Sequence, residues 1–205
     1  MSARVAILLS GRGSNFVALH GAMERGEIPA EVALVVSNVA EAAGLQKARS
    51  LRLPAVCFPH RLEPTREVHE AKILAALEHA EVEWVCLAGY MRLLSRSFVE
   101  RYPRRILNIH PSLLPAFPGL GAQEQAVEWG VKVSGCTVHF VDEELDHGPI
   151  VLQRTVPVHD DDNPISLSAR ILAEEHKVYP EALRRLLEER WRVAGRRVVF
   201  SGRTG

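Results

Sequence analysis

"RVAILLSGRGSN", residues Arg4–Asn15, is an apolar run of strand length that breaks into a loop with two glycines and then opens a helical segment. A strand feeding a helix through a tight glycine turn is the first step of a βαβ unit. The same alternation recurs along the chain. Apolar runs "EVALVVS", "PAVCFP" and "VEWVCLAG" are separated by stretches that read as helices at Asn15–Arg25, Ala40–Arg52 and Glu63–Ala80. Runs apolar on both faces, joined by helix-length connections, indicate a parallel sheet covered on both sides. A fifth strand, "RILNIH", leads into "NIHPSLLPAFPG", Asn108–Gly119. A helix at Ala122–Trp129 follows, then "SGCTVHFV" and "PIVLQRTVPV", joined by "DEELDHG", a connection too short for a crossover, so these two strands pair antiparallel. Asn163-Pro164 opens a long amphipathic helix to about Trp191, with Ile171, Leu172, Leu183, Leu186 and Leu187 inward and Pro180 as a candidate kink. The tail "GRRVVFSGRTG" adds an edge strand or lies loose. The expected fold is an α/β class, open, mostly parallel Rossmann-like twisted sheet with helices on both faces and an antiparallel strand pair in the C-terminal half.

The chain has 205 residues with Lys+Arg and Asp+Glu both at 25. Zero net charge removes the electrostatic footprint of a protein that grips many nucleic-acid phosphates, so no nucleic-acid partner is expected. Cys57, Cys86 and Cys136 each sit in an apolar run without metal or disulfide-framework spacing, which reads as buried thiols of a cytoplasmic protein. The N-terminal apolar run is too short for a signal peptide, and no stretch approaches the ~20 apolar residues that span a bilayer.

In an open α/β sheet, ligands lie beyond the carboxyl ends of the strands, and the unusual segments fall there. Ser10–Asn15 pairs two glycines with a helix start, so Gly13, Ser14 and Asn15 are candidates to hold a phosphate. It lacks the spacing of GxGxxG and the lysine of a Walker loop, against dinucleotides and triphosphates; a plain capped turn is the other reading. "LAGYMRLLS", Leu87–Ser95, leaves the fourth strand through Gly89, with Met91 and Leu94 either an apolar wall or core. Asn108 and His110 alternate along a strand and converge on one side. Asn supplies a neutral donor, His a proton near neutral pH. Pro111, Pro115 and Pro118 stiffen the loop, and Leu114-Pro115 is a candidate cis bond. Asp146, if its loop folds over the fifth strand, pairs with His110, raises the imidazole pKa and favours the imidazolium. His60, His69, His79 and His159 read as surface or helix-face residues. No serine, cysteine or metal set offers a nucleophile, so the substrate brings its own and group transfer passes through a tetrahedral intermediate.

Taken in order, "LLSGRGSN", "LAGYMRLLS", "LNIHPSLLPAFPG", "GCTVHFVDEELDHGPIVLQ" and "EEHKVYP" closely resemble the phosphoribosylglycinamide formyltransferase family, folate-dependent enzymes of purine biosynthesis, from Arg4 to about Leu187. The resemblance implies a single formyltransferase domain over residues 1–205, with a phosphate-binding half (1–107), a catalytic and folate-binding half (108–190) and a tail (191–205). It implies that Gly13, Ser14, Asn15 and Glu175 contact the ribonucleotide. It places the reduced folate against Arg66, Met91, Arg92, Leu93, Leu94 and Asn108, and under Val141, Asp142, Glu143, Glu144, Leu145 and Asp146. Asn108, His110 and Asp146 become catalytic. The co-substrate is 10-formyltetrahydrofolate, no metal is needed, no membrane is involved, and the protein is a monomer or homodimer. Two departures stand out: His147, where a small residue is expected, is placed to compete for Asp146, and Gly121 stands where a polar residue is common. The rivals are a formyltetrahydrofolate deformylase, expected to carry an N-terminal regulatory domain and lack the phosphate loop, and a methionyl-tRNA formyltransferase, which needs a further domain and a basic face. A non-catalytic folate or nucleotide binding module is the third.

Overall fold

The computed structural model describes residues 2–203 and divides into two compact units, Met1–Leu107 and Asn108–Gly205. In the first, β1 (Ala3–Leu9), β2 (Ala30–Ser37), β3 (Ala55–Cys57) and β4 (Trp84–Leu87) alternate with α1 (Ser14–Glu24), α2 (Ala43–Ser50), α3 (Arg66–His79) and α4 (Arg96–Arg101). All three strand pairings, β1 with β2, β1 with β4 and β2 with β3, are parallel, in the order β3-β2-β1-β4. Val5 to Leu9 are fully buried in succession, so β1 is covered on both faces, and each such aliphatic side chain contributes roughly 1.5–3 kcal/mol by leaving water. Since β1 lies between β2 and β4, the chain leaves it to one side and returns on the other, and the loops after β1 and β4 flank the reversal.

Local chemistry sets the helix ends. α3 begins at Arg66, not Glu63, because the Thr65 hydroxyl accepts the Val68 N–H, and the residues before it include a short 3-10 turn, His60–Leu62. The sequence reading assigns no helix to 96–101; there the Ser95 hydroxyl accepts the Phe98 N–H at 3.3 Å and starts α4. Of the two readings of His69, surface or helix face, the structure selects the helix face, and the inward one. His69 is fully buried, because it shares with Ile73 and Leu77 the inward face at i, i+4 and i+8. Its Nε2–H donates to the Phe58 carbonyl at 2.8 Å, while its Nδ1 is buried without a hydrogen-bond partner among the described residues.

The second unit carries α5 (Ala122–Glu128), β6 (Val133–Phe140), β7 (Ile150–Pro157), α6 (Pro164–Glu188), β8 (Glu189–Ala194) and β9 (Arg197–Arg203). β5 (Ile106–His110) runs across the division and delivers its last three residues to this unit. β6 and β7 pair antiparallel from Val133↔Pro157, as the short connection requires, and their register shifts between Val138 and His139. α6 opens with a capping box: Asn163 Oδ1 accepts the Ile165 and Ser166 amides, and Ser166 Oγ accepts the Asn163 N–H. Its buried face is Leu167, Ile171, Glu175, Val178, Ala182, Leu183 and Leu186, while Leu172 and Leu187 are only half-buried. The helix ends at Glu188, before Trp191, which instead sits in β8 with its ring 5.3 Å from Phe140 and its indole N–H on the Leu186 carbonyl. The tail thus forms an ordered hairpin: β8 and β9 pair antiparallel, and β9 joins β7 in parallel at Ile150↔Arg197.

Candidate active site

The end of β5 and the loop before β7 build one buried cluster in the second unit. Asn108 and His110 alternate along β5, and Asp146 links them. Its Oδ1 accepts from Asn108 Nδ2 at 3.4 Å, and its Oδ2 lies 3.3 Å from His110 Nδ1 while accepting the Gly119 N–H at 2.8 Å. Two side chains and one amide of the proline-rich segment therefore converge on a single carboxylate. Asp146 itself has φ 50, a left-handed conformation that costs a non-glycine residue about 1 kcal/mol or more. Gly148 makes this turn feasible, because a Cβ there would meet the Phe140 carbonyl oxygen at 1.9 Å. The other ring nitrogen of His110, Nε2, is 2.8 Å from the Phe117 carbonyl, so it carries a proton.

Three residues that the sequence reading left out complete the cluster. His139, on β6 at the register shift, has Nδ1 2.8 Å from the Phe140 carbonyl, which fixes a proton there and leaves Nε2 to accept from Asn108 Nδ2 at 3.2 Å. Thr137 and Gln153 lash down the loop after His110: Thr137 Oγ1 donates to the Ser112 carbonyl at 2.7 Å and accepts the Leu114 N–H at 3.1 Å, and Gln153 Nε2 donates to the Leu114 carbonyl at 3.0 Å. The Leu114-Pro115 bond is cis, as expected. A signal for these residues existed in "GCTVHF" and "VLQ": the polar Thr137 and His139 inside a strand otherwise apolar and buried, and Gln153 directly after an apolar pair in β7.

The electrostatics correct one expectation. Burial pushes the His110 pKa down, and the Phe117 carbonyl and Asp146, which both raise it, do not make up the loss; the net shift is below the ordinary 6.5. The resting ring is therefore neutral at pH 7, not the expected imidazolium. Asp146 is likewise penalised by burial, which raises it, yet His139, the Gly119 amide and the His110 ring more than offset this and hold it below the ordinary 3.8. Both shifts act on stability with the same sign. A lowered imidazole means the unfolded chain binds the proton first, so stability is full above about pH 6.5 and falls as acid approaches the folded pKa; a lowered carboxyl loses its contribution further down, below 3.8. Burial also lowers His69 and His176. Urea unfolding at stepped pH is thus expected to show constant stability above pH 7 and a decline below about 6.5, at up to about 1.4 kcal/mol per pH unit for each imidazole held neutral. His110→Gln should make that slope shallower.

In the first unit, the loop after β1 meets the loop after β4. Ser10 N–H donates to the Gly89 carbonyl at 3.0 Å, while Ser10 Oγ accepts the Met91 N–H at 2.8 Å and donates to Asn38 Oδ1 at 2.6 Å. The candidate phosphate residues Gly13, Ser14 and Asn15 sit at the start of α1. Gly13 has φ 73, and a Cβ there would lie 2.7 Å from the Gly44 Cα, so this close approach of loop and α2 admits only glycine. No side chain caps this end of α1, and the amides of its first turn face outward with the positive dipole end. Asn15 is buried.

The other candidates separate by burial. Met91 and Leu93 are exposed and Arg92 half-buried, whereas Leu94 is in the core, so the two open readings of this segment divide between its residues. Arg66 is exposed in the first turn of α3. Glu175 is buried on the inner face of α6, not solvated as helix charges commonly are. Val141 and Asp142 are half-buried, and Glu143, Glu144 and Leu145 exposed. His147 does not compete for Asp146: its Nδ1 is 2.9 Å from Asp142 Oδ2. Gly121 is the N-cap of α5 with φ 68. Burial raises the Cys57 and Cys136 thiols, Cys136 to about 12, which leaves them protonated and unreactive. Among the described residues, no group of three or more His, Cys, Asp or Glu is arranged to hold a metal ion, and no helix is long and apolar enough to cross a membrane.

Residues 3–183 match the formyl transferase family. This chain belongs to it. The trifunctional purine biosynthetic protein adenosine-3 of Homo sapiens is 47% identical over 181 residues, which are 88% of this chain but 18% of that protein. The chain thus spans less than a fifth of this relative's length. Phosphoribosylglycinamide formyltransferase of Haemophilus influenzae is 37% identical over 200 residues, 98% of this chain and 94% of that one. Among solved structures, glycinamide ribonucleotide transformylase 1 from Symbiobacterium toebii superposes with a TM-score of 0.95 at 49% identity, covering 97% of this formyl transferase chain and 94% of that one.

Proposed function

We propose that this formyl transferase moves the formyl group of 10-formyltetrahydrofolate onto the amine of 5'-phosphoribosylglycinamide, giving phosphoribosyl-N-formylglycinamide and tetrahydrofolate in purine (IMP) biosynthesis in the cytoplasm. One observation supports it above the others: Asp146 gathers Asn108 and His110 into a buried cluster that contains donors and a carboxylate but no nucleophile. Such a site suits a reaction in which the substrate supplies the attacking atom. In the first unit, Gly13, Ser14 and Asn15 take the phosphate at the start of α1, and Arg66, Met91, Arg92, Leu93 and Leu94 serve the folate. In the second, Glu175 serves the ribonucleotide, and Asn108 with Val141, Asp142, Glu143, Glu144, Leu145 and Asp146 serves the folate.

The glycinamide nitrogen attacks the formyl carbon, and the carbonyl electrons move onto oxygen. His110 already carries a proton on Nε2, donated to the Phe117 carbonyl in the resting site. A formyl oxygen in the place of that carbonyl receives the same hydrogen bond from a neutral ring, and Asn108 becomes the second donor by turning one N–H away from its 3.4 Å contact with Asp146. As negative charge grows on that oxygen, the proton released by the attacking amine is held on Nδ1 beside Asp146 before it passes on, so the transition state and not the resting enzyme recruits the imidazolium. The C–N10 bond then breaks, and the proton lost by the amine reaches N10 directly or through water.

The deciding assay offers the purified protein formyl folate with the ribonucleotide, with water alone and with no added amine acceptor but a folate trap. Folate release that depends on the ribonucleotide and yields its N-formyl product is the expected result. Release at the same rate in water alone makes the protein a hydrolase and overturns the reading.

A further inference from the structure

We infer that Arg196 and His147 are positioning residues of the formyl-donor loop: the turn of the C-terminal hairpin grips that loop through His147 and so holds Asp146 in place. The inference rests on the reading of residues 141–146 as part of the folate site. Asn108, His110 and the Gly119 amide hold the Asp146 side chain, but the residues just before it project from the core. Glu143, Glu144 and Leu145 are exposed, and Asp146 sits at φ 50, a conformation that persists only where the surroundings impose it.

Beyond those side-chain contacts, the polar contacts that hold this backbone come from within the loop and from the tail. Asp142 Oδ1 accepts the Glu144 N–H at 3.1 Å, and its Oδ2 accepts His147 Nδ1–H at 2.9 Å. With the proton on Nδ1, the lone pair of Nε2 is open to a donor, and Arg196 Nη1 fills it while Arg196 Nη2 donates to the carbonyl of the same residue. The rigid guanidinium fork thus clamps both the ring and the backbone of His147, which fixes the peptide that follows Asp146. The hairpin reaches this point because Arg197 pairs with Ile150 at the start of β7, directly after the loop. The chain Arg196 to His147 to Asp142 orders every proton in one direction, and it uses the residue at which this sequence departs from the small one its resemblance leads one to expect.

The test compares the full-length protein with Arg196→Ala, Arg196→Lys and His147→Gln by two readouts: hydrogen exchange of the amides of residues 141–148, and KM for formyl folate and for the ribonucleotide separately. Arg196 is exposed, so Arg196→Ala is expected to keep the wild-type melting temperature. It should speed exchange in the loop about tenfold and raise KM for the folate about tenfold, with the ribonucleotide KM within twofold. Arg196→Lys, which keeps the charge but loses the fork, falls between. His147→Gln presents an N–H to Asp142 and an oxygen to Arg196 and should stay near wild type. Unchanged loop exchange in Arg196→Ala overturns the inference, as does a loss spread equally over both substrates and shared by His147→Gln. If the wild-type protein transfers no formyl group, the functional reading fails and the exchange experiment alone decides whether the clamp exists.

Discussion

Asp146→Asn is expected to lower kcat for formyl transfer by about 10²–10⁴, the range for loss of a group that governs proton placement in the transition state, while ribonucleotide affinity changes by less than about twofold. The reason lies in what the carboxylate does with each oxygen. One accepts from Asn108 Nδ2, and the other accepts the Gly119 N–H and faces His110 Nδ1. An amide has one acceptor and one donor in place of two acceptors. Whichever way it turns, an N–H faces either the Asn108 amide or the Gly119 amide, so one buried donor loses its partner, at about 1–3 kcal/mol of stability. The negative charge that favours protonation of His110 as the oxyanion forms is also gone. Circular dichroism should show an unchanged fold with a lower melting temperature, and calorimetry should show the ribonucleotide still bound. A parallel fall of ribonucleotide affinity and kcat sinks the assignment of Asp146 to the chemical step.

How far the sequence alone reaches is clear from particular residues. The parallel half was legible because Val5–Leu9 and Trp84–Leu87 are buried without alternation and helix-length connections separate such runs, a combination that a doubly covered parallel sheet makes. The β6/β7 pair was legible from the length of its connection. The trio Asn108, His110 and Asp146 could be brought together because two of them alternate on one strand and the third lies in a turn with Gly148. Other features escaped, and three of them show why. The inward face of His69 depends on which side of α3 packs, and an imidazole fits either side until its Nε2–H finds the Phe58 carbonyl. His139 escaped because its role is to occupy Asn108, a contact between strands distant in sequence. The protonation of His110 escaped for a quantitative reason: pairing with Asp146 is visible in a motif, but the burial that outweighs it is a property of everything packed around the ring.

Because burial keeps the resting His110 ring neutral, replacing it should do more than cause a simple loss. His110→Ala removes the Nε2–H and is expected to cost about 10²–10³ in kcat, as for one donor to an oxyanion. His110→Gln keeps a neutral N–H near the position of Nε2 and cannot become charged. If the ring acts only as a neutral donor, the resting state implied by its lowered pKa, Gln restores most of the lost rate. If charge must develop on the ring next to Asp146 as the oxyanion forms, Gln recovers only the ground-state contact and stays within about tenfold of Ala. The 3.3 Å approach of Asp146 Oδ2 to Nδ1 favours the second outcome, because a carboxylate facing an unprotonated nitrogen gains nothing until a proton arrives. Single-turnover rates for the three proteins, taken with both substrates saturating so that binding drops out, separate the two cases. Full recovery in His110→Gln would leave Asp146 as an orienting group and remove the imidazolium from the mechanism.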